Sequence, residues 1–309
     1  MRRHWGERVG RPTISVIIPT NRGGPYLAEA VASLRAQTLP ASDILLVDDG
    51  SPAPGLEGVA RELGLRYCRQ EPSGIAAARN TGVRQVDSEW VAFLDDDDLW
   101  HPDRLRAQVS ALVRAPDAIA SFTGGEYIDA DGRPIGEPWG APDASSNEML
   151  CGRVASPRIT TLLVRRDSYL AVGGCRTRME PSEDNDLIAR LLLQGEFVGV
   201  DRALVSYRRH ASNVTRRSLA GRRAGRRSIR EMLRTAKQDG DTERIALMRA
   251  RRRTFVSIAA DQNLGDLISA VRDREVGYAA RVAAWGIFTL PIASLRALHR
   301  RRARRHKGV

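Results

Sequence analysis

The chain has 309 residues, 42% of them hydrophobic and 28% charged, a balance that excludes a wholly disordered or collagen-like protein. Its formal charge of +12 is unevenly spread: residues 1–207 carry 23 basic and 29 acidic side chains, residues 208–309 carry 26 and 8. That asymmetry predicts two parts with different roles, the acidic front being a poor surface for nucleic acid.

The front reads as strands alternating with helices. Ile14–Ile18 is a β-branched run stopped by Pro19, the pattern of a buried parallel strand. Tyr26–Gln37 has apolar residues at Leu27, Ala30, Val31 and Leu34, a helical period. Asp43–Val47 is a second strand, Leu56–Leu63 a second helix, Leu65–Cys68 a weak third strand and Gly74–Val86 a third helix. Trp90–Leu94 is a strongly apolar strand that runs directly into Asp95, Asp96, Asp97 and Asp98. Gly124–Pro157 reads as hairpin and loop, Asn185–Leu193 as a helix and Ala203–Tyr207 as a short strand, with Arg-rich helix from about residue 215. Such a rhythm predicts a mostly parallel sheet with ligands at the carboxyl ends of its strands. Three of those ends carry polar signatures: Pro19-Thr20-Asn21, Asp48-Asp49-Gly50-Ser51 and the aspartate run.

Four adjacent carboxylates repel one another, and a divalent cation relieves that repulsion. Mg²⁺ and Mn²⁺ take hard oxygen ligands, commonly one or two carboxylates plus substrate phosphate oxygens. The plain alternative is a solvated acidic turn. Asp48 and Asp49 suit hydrogen bonds from a base or a ribose, or the capping of a turn. Arg79 suits a phosphate, or a surface carboxylate.

Thr13–Asn21, Val47–Ser51, Gly74–Gly82 and Phe93–Asp98, in this order, resemble the nucleotide-sugar-binding half of the family 2 glycosyltransferases. Glu183–Leu187, with Arg190 and Leu191, resembles the acidic helix of that family, and Tyr207–Thr215 resembles the segment that closes its domain. The resemblance spans residues 12–215. It implies an α/β GT-A fold, a Rossmann-like, mostly parallel sheet flanked by helices. It also implies inverting, metal-dependent transfer of a sugar from a nucleotide-sugar donor, a UDP-sugar favoured, to a hydroxyl of a cell-envelope glycan or glycolipid. Carried onto this chain, it places Pro19, Thr20 and Asn21 in the nucleotide pocket and Asp48 with Asp49 at the base. Arg79 is then expected near base or phosphate and Asp95 or Asp96 near the ribose. Asp97 is expected on Mn²⁺ or Mg²⁺, and His210 at the metal or the diphosphate. Asp184 is the implied catalytic base, with Glu183 and Asp186 as neighbours able to take its place. The run of four leaves the metal register open by one residue.

Two other readings compete. A nucleotidyltransferase also uses an α/β sheet and metal-binding aspartates, but Pro19–Gly24 is a thin candidate for its phosphate loop. A non-enzymatic nucleic-acid- or membrane-binding protein would be led by the basic tail, which lacks the interleaved aromatics of a stacking platform. No nucleic-acid partner is therefore expected.

The expected organisation is an N-terminal tail over 1–11, the catalytic domain over 12–215 and a basic helical extension over 216–309. Met1–Arg11 has no apolar leader, and the three cysteines (Cys68, Cys151, Cys175) read as reduced thiols, so a cytoplasmic protein is expected. Val282–Leu295, 14 residues containing Pro291, falls short of the roughly 20 needed to span a bilayer. Its aromatics flanked by arginines fit either a packed helix or a helix lying on anionic lipid at the inner face of the membrane.

Overall fold

The computed structural model describes residues 12–52, 55–210 and 219–289, with side chains to residue 287. Expectations for the N-terminal tail, for the end of the closing segment at 211–215 and for the chain after residue 289 lie outside these residues. The expected boundary at 215/216 lies outside them as well.

Strands β1 (Ile14–Thr20), β2 (Asp43–Asp49), β3 (Arg66–Gln70) and β4 (Trp90–Phe93) alternate with helices α1 (Leu27–Arg35), α2 (Leu56–Glu62) and α3 (Ile75–Arg84). Next come β5 (Leu99–Trp100), α4 (Arg104–Arg114), β6 (Ala120–Ile128), α5 (Ser146–Cys151), β7 (Leu162–Arg165) and α6 (Arg166–Ala171). Helix α7 (Glu183–Leu192) and β8 (Phe197–Arg208) follow, then helices α8 (Leu219–Gln238), α9 (Thr242–Arg272) and α10 (Val276–Thr289).

One sheet of eight strands runs β3-β2-β1-β4-β7-β6-β8-β5. Its first half is parallel: β1 pairs with β2 and β4, and β2 with β3. The second half is mixed, because β7 runs antiparallel to both β4 and β6 whereas β6 and β8 are parallel. The parallel half matches the β-branched runs of the sequence. All seven residues of β1 are buried, and Val16, Ile18, Leu46, Trp90 and Leu163 join Val31 and Leu34 of α1 in one core. Each such fully buried side chain contributes about 1.5–3 kcal/mol.

Strands β2 and β4 lie on opposite sides of β1, so the chain leaves β1 in one direction and returns to its other edge. In open α/β sheets such a reversal parts the loops at the carboxyl ends of the two strands, here β1 and β4, and forms the crevice where ligands bind. The Gly124–Pro157 segment is more ordered than its composition suggests. β6 continues to Ile128, Gly125 and Trp139 exchange backbone hydrogen bonds of 2.9 and 2.8 Å, and α5 closes the stretch.

The chain divides into two compact units, Met1–Met149 with Val154–Asn213, and Leu150–Arg153 with Val214–Val309. A short piece inside the expected catalytic domain thus groups with the helical extension: Arg251 and Thr254 of α9 donate to the carbonyls of Leu150 and Cys151. The second unit has its own core of Leu219, Ala259, Ala260, Val282 and Trp285. Within it Arg222 donates to Asp266 at 2.8 Å. Among the described residues no helix is long and apolar enough to cross a membrane.

Candidate functional site

The four aspartates follow β4 in a turn closed by the Asp98 amide on the Asp95 carbonyl at 3.1 Å, and the turn sends each carboxylate to a different partner. Asp95 accepts from Arg79 at 2.9 Å. Asp96 accepts from Thr20 Oγ1 at 2.5 Å, tying the end of β1 to the end of β4. Asp97 Oδ2 lies 2.9 Å from His210 Nε2. Asp98 is fully buried and accepts from Thr160 Oγ1 and the Arg208 amide, both at 3.0 Å, so it anchors the turn and points away from solvent. Burial holds the Asp96 carboxyl up at about 6. Burial and Asp95 raise Asp97 against the opposing pull of His210.

Pro19 and Thr20 end β1, where Thr20 Oγ1 also accepts from the Gly23 amide at 3.0 Å; Asn21, one residue on, is exposed. Asp48 and Asp49 are buried at the end of β2 with their oxygens engaged by the protein itself. Asp48 accepts from the Ser51 amide and Tyr67 Oη, each at 2.7 Å, and from Arg69 at 2.5 Å. Asp49 accepts from Gln70 Nε2 and from the amides of Ser73 and Gly74, all at 2.8 Å. The carboxylate expected at a base therefore also shapes the loop before α3. Gly74 sits there at φ +89°, a conformation open to glycine at little cost. Glu180 completes the loop by accepting from the Ala76 amide at 2.9 Å, at the otherwise unsatisfied start of α3.

Arg79 is 2% exposed and holds two carboxylates at once, Asp95 through Nη2 and Glu183 through Nη1, both at 2.9 Å. Burial alone would lower its value, but Asp95 and Glu183 outweigh burial and raise it, so the guanidinium stays charged. Expected near a base or phosphate, it is spent here on joining the aspartate turn to the first turn of α7.

That turn carries three acids, which suit the positive end of a helix dipole. Their environments separate them. Glu183 is buried against Arg79, with its carboxyl raised to about 7 chiefly by burial. Asp186 is buried in an ion pair with Arg190 at 2.8 Å. Asp184 is half-buried: Oδ1 accepts from the Asn185 amide at 2.7 Å and from Asn185 Nδ2 at 3.0 Å, and Oδ2 has no hydrogen bond from another described residue. Desolvation raises its value from the ordinary one.

Among the described residues no group of three or more His, Cys, Asp or Glu is placed to hold a metal alone. Asp97 and His210 supply a facing oxygen and nitrogen, which fits an ion that completes its shell from substrate phosphates. Several residues of the site escaped the sequence. Arg208, 1% exposed, donates to the Asp97 carbonyl at 2.9 Å and to Glu29 at 2.7 Å, and its guanidinium lies 4.3 Å from the centre of the Tyr26 ring. Nothing in its neighbours, two further polar residues at the end of a strand, marks it for burial. Trp139, the one tryptophan of the Gly/Pro-rich stretch 124–157, is a signal for such a residue that the sequence does carry.

Residues 15–166 match the family model "Glycosyl transferase family 2". ExoW, a succinoglycan biosynthesis protein of Rhizobium meliloti, is 42% identical over 167 residues, 51% of this chain and 50% of ExoW. An uncharacterized glycosyltransferase of Rickettsia felis is 35% identical over 128 residues, 40% of this chain and 21% of that protein. The chain thus spans between a fifth and a half of the length of these relatives. Among solved structures, S. aureus TarS 1–349 in complex with UDP-GlcNAc superposes with a TM-score of 0.60 at 17% identity, covering 88% of this chain and 91% of that one. The sheet with its flanking helices is the GT-A fold of that structure, and the likeness of residues 15–166 is to glycosyl transferase family 2.

Proposed function

We propose that this protein is an inverting, metal-dependent glycosyltransferase that moves a sugar from a nucleotide-sugar donor, a UDP-sugar favoured, to a hydroxyl of a cell-envelope glycan or glycolipid. The observation that carries the reading is the double ion pair of Arg79, which brings the aspartate turn and the acidic start of α7 to one crevice. A charge-binding end and a base are the two parts that displacement at an anomeric carbon needs.

Asp184 is the base. As the acceptor oxygen attacks, its proton passes to Asp184 Oδ2, the oxygen that accepts no hydrogen bond from another described residue. Raising its pKa by desolvation makes it a better proton acceptor, and Glu183 and Asp186 are committed to arginines. Pro19, Thr20, Asn21, Asp95 and Asp96 would line the nucleoside; the hydrogen bond from Thr20 to Asp96, which joins the ends of β1 and β4, supports this. Asp97 and His210 would hold Mn²⁺ or Mg²⁺, which when bound supplies charge neutralisation for the leaving nucleoside diphosphate. Contact with an anionic membrane at its inner face belongs to the same reading: Val271, Val276 and Ile287 are exposed in helices that also carry Arg272 and Arg281, with Arg274 in the turn between them.

The test is thermal stability against UDP, GDP, dTDP and CDP with Mn²⁺, Mg²⁺ or EDTA, followed by product analysis. A ligand at 100 times its Kd adds roughly 2.7 kcal/mol. Stabilisation by one nucleotide with metal alone, and release of nucleoside diphosphate on turnover, are expected. Release of pyrophosphate would instead identify nucleotidyl transfer.

A further inference from the structure

Beside the crevice, β6, β8 and the hairpin that returns through Trp139 build a cluster that the donor site does not use. Tyr127 of β6 pairs in register with Tyr207 of β8, their ring centroids 6.0 Å apart, and Trp139 lies 4.8 Å from Tyr127. Arg158 sits among these three rings, its guanidinium 4.1 Å from the centroid of Trp139, 4.9 Å from Tyr127 and 5.7 Å from Tyr207. It also donates to Tyr127 Oη. A second guanidinium, that of Arg209, lies 3.5 Å from the Tyr127 ring centroid.

Most arginines of the crevice are matched by carboxylates: Arg69 by Asp48, Arg79 by Asp95 and Glu183, Arg208 by Glu29. Arg158 and Arg209 are not matched by any carboxylate of the described residues within ion-pair distance. Acids on the same strands are already engaged, Glu126 by Ser206 Oγ at 2.8 Å and Asp201 by the Ala141 amide at 3.2 Å. The excess of positive charge is visible on Tyr127. Burial would raise its phenol, yet hydrogen bonding and charge from Arg158, with Arg209, bring it below its ordinary value.

A cavity of about 240 Å³ opens against this cluster, lined by Trp139 and Arg158 with Phe122, Thr123, Pro142 and Ser156. Two residues of the cluster are sequence neighbours of residues that hold the aspartate turn. Arg209 precedes His210, the partner of Asp97, and Arg158 lies two residues before Thr160, the partner of Asp98. An aromatic face suits the apolar face of a sugar ring, and an unmatched guanidinium is a fork for a carboxylate or phosphate.

We propose that this cavity is the acceptor subsite and that it selects a sugar carrying an anionic group, with the ring against Trp139 and the anion on Arg158, the guanidinium of Arg209 over Tyr127 adding positive charge beside it. The assignment to the acceptor rests on the glycosyltransferase reading above; the anion-binding cavity itself does not. Neutral sugars would leave the two guanidinium groups unmatched and bind more weakly, since hydrogen bonds to charged groups are the stronger ones.

The full chain, labelled with ¹⁵N, is titrated with D-glucuronate, D-glucose 6-phosphate and D-glucose while the indole N–H signal of Trp139, assigned with Trp139→Phe, is followed. One of the two anionic sugars is expected to move that signal at concentrations about tenfold below those needed for glucose, and which one does so separates carboxylate from phosphate. Arg158→Gln and Arg209→Gln are each expected to weaken that response about tenfold. Arg209 is exposed, so its variant carries the test should Arg158→Gln fail to fold. The Arg-rich extension, which attracts any anion, does not carry the Trp139 signal. Glucose binding as well as both anions, no response to either anion, or an undiminished response in the folded arginine variants would overturn the proposal. A Trp139 response without stabilisation by any nucleoside diphosphate would overturn the donor-site reading and keep the cavity; stabilisation without the response would do the reverse.

Discussion

Arg79 donates to Glu183 at 2.9 Å across 104 residues of sequence, and its other terminal nitrogen donates to Asp95 at the same distance. One buried guanidinium thereby sets the spacing between the turn that would bind charge and the helix that would hold the base. Removing it strips the partner from buried Glu183 and half-buried Asp95, which is more damaging than the net worth of the pairs suggests. Arg79→Leu is expected to lower stability by about 3–5 kcal/mol in urea unfolding, and Arg79→Lys by less, since it keeps the charge and loses the fork. Equal stability of Arg79→Leu and the parent would show that the two carboxylates find other partners.

Asp184→Asn keeps shape and hydrogen bonding to Asn185 but cannot take a proton. Its kcat is expected to fall roughly 10²- to 10⁴-fold while stabilisation by donor nucleotide persists. Turnover near that of the parent would pass the role to Glu183.

Asp97→Asn and His210→Ala each remove one donor of the facing pair. Both are expected to abolish the metal-dependent part of nucleotide stabilisation, the result also expected of EDTA in the parent. The comparison is the midpoint shift with and without Mn²⁺ in each variant, and a full Mn²⁺-dependent shift in both would remove these residues from the metal site.

Glu183 adds a pH dependence. Its carboxyl, raised from 4.5 to about 7 by burial, keeps a proton in the folded chain that the unfolded chain has already released. The folded state then binds more protons than the unfolded one, so the stability that comes from the neutral form is full below about pH 4.5 and is lost as pH rises through about 7. Unfolding free energy should decline across that window, and Glu183→Gln should flatten the decline. Identical slopes for parent and variant would mean that Glu183 titrates alike in both states.

Much of the parallel half was legible because its signals are local. A β-branched run between Thr13 and Pro19 has one economical use, a doubly covered strand, and the helical period over Tyr26–Gln37 needs no knowledge of what it packs on. The mixed half was not legible in the same way. β6 contains Thr123-Gly124-Gly125-Glu126, which alternates poorly, and it is held as a strand by its neighbours β7 and β8, distant in sequence. Tertiary pairing there overrides weak local propensity.

The candidate site divides along the same line. By itself the sequence determined which carboxylates end which strands, because strand ends and acidic runs are written in consecutive residues. Only the tertiary structure decided what each carboxylate does. Asp95, Asp96, Asp97 and Asp98 are indistinguishable as a string, yet they face Arg79, Thr20, His210 and the buried pair Thr160–Arg208. Three acids in one turn of α7 are separated only by which arginines reach them. The physical reason is that burial and charge pairing, which set a carboxyl's state and availability, are properties of the neighbours that folding brings up from far along the chain.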